Sequence, residues 1–164
     1  MAKIIVSILA FLLMIFPNSK YLIAEHQSLT FNMDASVSSV VNAFKAKDIL
    51  TLEAMMCQNI KDNVSELRTR IGEMFDAIDG DISSISKWER GYSREERNGQ
   101  MRLYHQEIRV NIAATKTYCL SIVWGIVDNV TPKETGILRI TLFIPPASGT
   151  QSQLVAEIRT TGLA

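Results

Sequence analysis

At Asp81 the hydrophobic period of this chain changes from about 3.6 residues to about 2. No other feature limits the fold as much, because helices lie before that point and strands after it. Before it, Val37, Val40, Val41 and Phe44 fall at i, i+3, i+4 and i+7. This is the apolar stripe of an amphipathic helix, which Asp34 or Ser36 could cap and Ala43 and Ala46 support. A second, short helix starts at Asp48 as its N-cap and carries Leu50, Leu52, Met55 and Met56. A third runs through Val64, Leu67, Ile71, Met74, Phe75 and Ile78, with Asn63 and Glu66 as a capping box and Gly80 as a left-handed stop.

After Asp81 the spacing predicts strands over Ile82–Trp88, Met101–Ile112, Tyr118–Ile126 and Ile137–Ile144, with a short fifth element over Leu154–Ile158. Gly91–Gln100 is polar and charged and reads as an exposed hairpin loop. Asp128–Gly136, with Asn129, Pro132 and Gly136, reads as a turn. Helices first and strands second define an α+β domain, its helices packed on one face of an antiparallel sheet. The third and fourth strands are apolar at almost every position, so they are expected to be covered on both faces or to curl around a core.

The N-terminus is a separate object. Lys3 precedes an apolar run from Ile4 to Phe16, which Pro17, Asn18, Ser19 and Lys20 end. A spanning helix needs roughly 20 apolar residues, and this shorter run has the length of a signal-peptide core. Residues 1–24 are therefore read as a signal peptide cleaved near Ala24, or as an uncleaved membrane anchor. Residues 25–33 read as a linker and 34–164 as one α+β domain. Cys does not follow the apolar run, which excludes a lipoprotein anchor. The expected location is extracellular or at the cell surface, with anchoring through the N-terminal helix as the alternative.

Charge and motifs narrow the chemistry. Lys+Arg and Asp+Glu number 17 each, and Lys3 and Lys20 are the only charges in the first 24 residues. The remainder is slightly acidic, so there is no basic footprint for nucleic acid. Cys57 and Cys119 form no CxxC or Cys/His cluster, and no metal site or cofactor is expected. They read as buried small hydrophobes, with a disulfide between them left open. Neither a phosphate-cradling glycine loop nor a nucleophile motif is visible.

The order of elements and four short motifs resemble a known group. The motifs are Phe44-Lys45-Ala46-Lys47-Asp48, Ile78-Asp79-Gly80, Tyr118-Cys119-Leu120 and Gly136-Ile137. Over residues 34–144 the chain resembles the nuclear transport factor two-like superfamily, and within it the small exported bacterial proteins grouped as domain of unknown function 5104. The resemblance implies a cone, with helices closing one side of a pocket in a curved sheet. That superfamily holds isomerases, cyclases and dehydratases as well as binding modules, so the fold alone selects no activity.

If the cone forms, Phe44, Phe75, Trp88, Tyr104, Tyr118 and Trp124 are the candidate pocket-lining residues, against their plainer role as core. Asp48, His105 and Asp128 are the candidate polar groups, because catalytic members use a pocket Asp or His as general base. Each has a simpler reading, as a helix cap, an exposed strand residue and a turn former. Alternation sets His105 opposite in sense to Tyr104. The expected function is a non-catalytic module that binds a small apolar ligand or a protein partner. Alternatives are a metal-independent isomerase or dehydratase, and a domain that dimerises through its sheet.

Overall fold

The computed structural model describes residues 33–97, 100–128, 133, 135–146 and 151–159. Residues 1–24, expected as a signal peptide or anchor, and nearly all of the expected linker lie outside them. Among the described residues no helix is long and apolar enough to cross a membrane.

Among the described residues four helices precede five strands: α1 Met33–Ala46, α2 Ile49–Met55, α3 Gln58–Asn63, α4 Leu67–Asp76, then β1 Ser84–Arg97, β2 Gln100–Ala113, β3 Thr117–Asp128, β4 Gly136–Ile144 and β5 Gln153–Arg159. The α+β class is as the change of period predicts. The first helix begins earlier than expected, so Asp34 and Ser36 lie within it rather than capping it. It ends in a Schellman turn: Lys47 N–H donates to Phe44 O at 3.4 Å and Asp48 N–H to Ala43 O at 2.8 Å. Lys47 takes the left-handed position at φ 51°. Its ammonium reaches Asp76 at 2.7 Å and ties the turn to the end of α4. Asp48 then caps α2, as its position predicts.

The third helix departs from expectation. The run from Val64 to Ile78 is not one helix with an Asn63–Glu66 capping box. Asn63 ends α3, and its side chain turns back to Asn59. Glu66 sits at the N-cap of α4 in the left-handed region, φ 54°, with no side-chain cap bond. A capping box needs its acid at the third helical position, and Glu66 stands at the cap itself, so the box does not form. The apolar period itself holds, and Leu67, Ile71, Met74 and Phe75 are all buried. The helix stops at Asp76, and Gly80 follows three residues beyond its C-cap Ala77, at φ 83°.

The strands form one antiparallel sheet in sequence order, β1-β2-β3-β4-β5. The expected hairpin loop at Gly91–Gln100 is mostly strand. β1 and β2 stay paired from Ser84↔Ala113 to Arg97↔Gln100. Polar side chains are no bar to pairing, because the ladder bonds belong to the backbone.

All four strand pairs are interrupted by a bulge. Trp88 is the extra residue in β1, Ile126 in β3, Leu138 in β4 and Val155 in β5, and β2 carries another at Arg102. Such insertions bend a strand and increase its twist. The one in β4 also places Ile137 and Leu138 side by side in buried positions, which strict alternation would forbid.

The core lies between the helices and one face of the sheet. Val40, Phe44, Leu52, Ile71 and Phe75 meet Ile108, Val110, Leu120, Ile122, Ile140 and Leu142 in one apolar cluster. The opposite face of β3 is also closed off, with Cys119 and Ser121 buried. Both cysteines are buried thiols, as small hydrophobes would be.

Candidate functional site

The four motifs that carry the resemblance are joints of this fold. Phe44–Asp48 forms the Schellman turn and the next cap. At Ile78-Asp79-Gly80, Asp79 N–H donates to Tyr118 Oη at 3.0 Å, and Thr115 N–H donates to Asp79 O at 3.0 Å. Tyr118-Cys119-Leu120 thus latches the helical half onto β3. Gly136-Ile137 meets the corner between α2 and α3, where Met56 bridges Ile137 and Cys57 N–H donates to Ile137 O at 3.0 Å. Cys57 Sγ in turn accepts from Ile60 N–H and caps α3.

Two surfaces remain as places where the molecule could meet something else. The first continues the core face of the sheet. Register sets Tyr92 opposite Gln106, Gln106 opposite Trp124 and Trp124 opposite Ile137, in one row across four strands. Exposure falls along this row: Tyr92 is 75% exposed, Gln106 half-buried, Trp124 6% and Ile137 fully buried. Tyr92 stacks on the buried ring of Tyr104, centroids 6.4 Å apart at 28°. So supported, Tyr92 stays largely open to solvent.

The second surface is the opposite face of the sheet. Here Glu107 accepts from Ser121 Oγ at 2.8 Å and from Arg109 Nε at 3.0 Å. Burial pushes the Glu107 carboxyl up, but these two hydrogen bonds and the charges of Arg109 and Arg139 bring it below its ordinary value. Further along, Glu157 accepts from Thr141 Oγ1 at 3.3 Å and pairs with Arg159 Nε at 3.0 Å. The apolarity of β3 therefore does not extend across this face, because β2, β4 and β5 place charges on either side of it.

The expected site residues are dispersed. Phe44 and Phe75 are buried and meet edge to face, centroids 4.9 Å apart at 77°. Tyr118 is the latch just described. Trp124 stands in the aromatic row, Tyr104 lies beside it on the same face as the ring that Tyr92 stacks on, and Tyr92, which sequence reasoning passed over, completes the group. Asp48 stands exposed, accepting from Thr51 Oγ1 at 2.7 Å and Thr51 N–H at 3.0 Å. Those two bonds hold its carboxyl below the ordinary range. His105 is half-buried on the face of Glu107, opposite in sense to Tyr104 as alternation predicts. Asp128 ends β3 and Trp88 is the bulged residue of β1; their side chains lie outside the described residues. Among the described residues no group of His, Cys, Asp and Glu could hold a metal ion.

The depressed carboxyls make a prediction. A carboxyl whose folded-state pKa lies below its unfolded one stabilises the fold above the unfolded pKa, and that contribution is lost as pH falls through the folded pKa. The urea midpoint is therefore expected to be flat near neutrality and to fall once pH drops below the ordinary carboxylate range. Asp48→Asn keeps a capping side chain but removes the charge, and should flatten part of that fall. An equally steep profile in Asp48→Asn would remove Asp48 from the account.

A helix-first α+β domain with a meandering sheet, its joints made by short sequence motifs, is the class that this geometry defines. The family described as Domain of unknown function (DUF5104) matches residues 39–145, and the chain belongs to it. No curated protein matches the chain.

Proposed function

We propose that this chain is an exported, non-catalytic binding module whose binding surface is the Tyr92–Gln106–Trp124 row. The stacked, solvent-facing ring of Tyr92 carries the reading. A large aromatic side chain exposed on a rigid strand and held by a second ring is suited to contact an apolar or ring-bearing small ligand. Gln106 beside it offers one acceptor and two donors to orient such a ligand. The helices-first order and the bulged sheet support the likeness to the nuclear transport factor two-like superfamily, whose members bind ligands on the helix side of the sheet. Lys3 and the apolar run Ile4–Phe16 support export.

Catalysis by a general base is the weaker reading. Asp48 is engaged at its helix cap, and Glu107 and His105 lie on the opposite face from the aromatic row. A base near neutral pH also needs a raised carboxyl, and both Asp48 and Glu107 are depressed.

One experiment tests both halves. The full chain with a C-terminal tag is expressed, recovered from outside the cytoplasm and titrated with a panel of steroids, aromatic polyketides and fatty acids while tryptophan emission is followed. A saturable change with at least one class is expected, weakened roughly tenfold by Tyr92→Ala, as loss of one well-placed aromatic contact implies. Recovery from the cytoplasm alone would overturn export. Unchanged emission across the panel, or equal affinity in Tyr92→Ala, would overturn the binding surface.

A further inference from the structure

On the face of the sheet opposite the aromatic row, Arg139 of β4 stands directly across from Arg159 of β5. Residues paired in this way point to the same side, and like charges so placed repel. The pair is half answered within the protein. Arg159 has Glu157 at 3.0 Å on its own strand. Arg139 feels the charge of Glu107, but that carboxylate already accepts from Ser121 and Arg109. Among the described residues Arg139 makes no hydrogen bond or ion pair through its own guanidinium, although it is half-buried. The next positions along the two strands, Thr141 and Glu157, bond to each other. On this part of the face, three guanidiniums of described residues, Arg109, Arg139 and Arg159, thus stand against two carboxylates, Glu107 and Glu157.

We infer that Arg139 and Arg159 form a binding site for an oxyanion, a phosphate or carboxylate group. The guanidinium presents donors in a planar fork that matches two oxygens of such a group, and an anion between the two side chains would replace their repulsion with two attractions. The strands fix both backbones, so the spacing is set before the ligand arrives. Glu157 and Glu107 border the site and oppose a second negative charge, which favours a single oxyanion group over a polyanion. The site is independent of the aromatic row, which uses the other face.

The test follows the arginine Nε–Hε resonances of the labelled full chain during titration with inorganic phosphate, with sodium chloride at matched ionic strength as control. Saturable shifts at Arg139 and Arg159 are expected with phosphate and not with chloride. Arg139→Gln should weaken phosphate binding roughly tenfold. It should also leave the anion-free urea midpoint unchanged or raised, because it removes a repulsion; a purely structural arginine would lower it. Arg159→Gln serves as the second variant. A parallel arm sediments the chain with phosphatidylglycerol vesicles against phosphatidylcholine vesicles. Phosphate binding without sedimentation assigns the site to a free anion, and sedimentation lost in Arg139→Gln assigns it to a lipid headgroup. Equal shifts in chloride, or full phosphate affinity in Arg139→Gln, overturn the inference.

Discussion

Replacing Gly136 by alanine is expected to destabilise the domain by about 3 kcal/mol, read as a drop in the urea midpoint with the m-value unchanged. Two causes act together. Gly136 has φ 118°, a conformation that side chains with a Cβ rarely adopt. A Cβ there would also lie 3.0 Å from Met55 O and Cys57 N and 3.1 Å from Cys57 Cα. These are backbone atoms, so no rotamer change relieves the contact. The corner that must give way also carries the Met56–Ile137 bridge and the Cys57 N–H bond to Ile137 O. Gly72 is the control. It lies inside α4, where a Cβ would meet only Ile49 Cδ1 at an ordinary 3.6 Å. Gly72→Ala is expected to stabilise by roughly 1 kcal/mol through helix propensity. Equal effects at the two glycines would show that the close approach at Gly136 does not matter.

Phe75→Ala is expected to cost about 4 kcal/mol, from lost burial and the cavity left behind. Its ring is buried in α4 and forms a T-shaped pair with Phe44 in α1, so the cost includes a helix–helix contact as well as transfer from water. A double-mutant cycle with Phe44→Ala should return a coupling of about 1 kcal/mol, the usual worth of an edge-to-face pair. A cost below about 2 kcal/mol, with no coupling, would mean that α1 closes over the vacancy or never packs firmly on α4. Neither substitution touches the aromatic row, so the affinity proposed for that row should be the same in the folded fraction of both.

Much of this was readable wherever one face of an element is buried and the other is not. Ile71, Met74 and Phe75 report the buried side of α4 through their spacing, whereas β3, buried on both faces at Cys119 and Ser121, is legible as a near-continuous apolar run. Asp48 is legible because a cap depends on atoms only three residues away. The second half of β1 was not legible. Arg94, Glu95, Glu96 and Arg97 give no alternation, and what holds them in a strand is the backbone of β2. Tyr92 was hidden for the same reason, although a lone aromatic within a charged run was a signal that could have been weighed. Bulges are silent too. Ile137-Leu138 looks like a break in period when it is one inserted residue. The opposition of Arg139 and Arg159 depends on a register that no local pattern encodes.

The in-order sheet also bears on how such a chain could assemble. Each strand pairs with the one before it, so every hairpin closes a short loop and pays little chain entropy to do so. The joint between Met56 and Ile137 is different, because it must gather the ends of a long stretch that includes three whole strands. Its closure is worth most once β1 to β3 are already in place and the effective loop has shortened. A glycine at position 136 therefore sits where local zippering hands over to global closure.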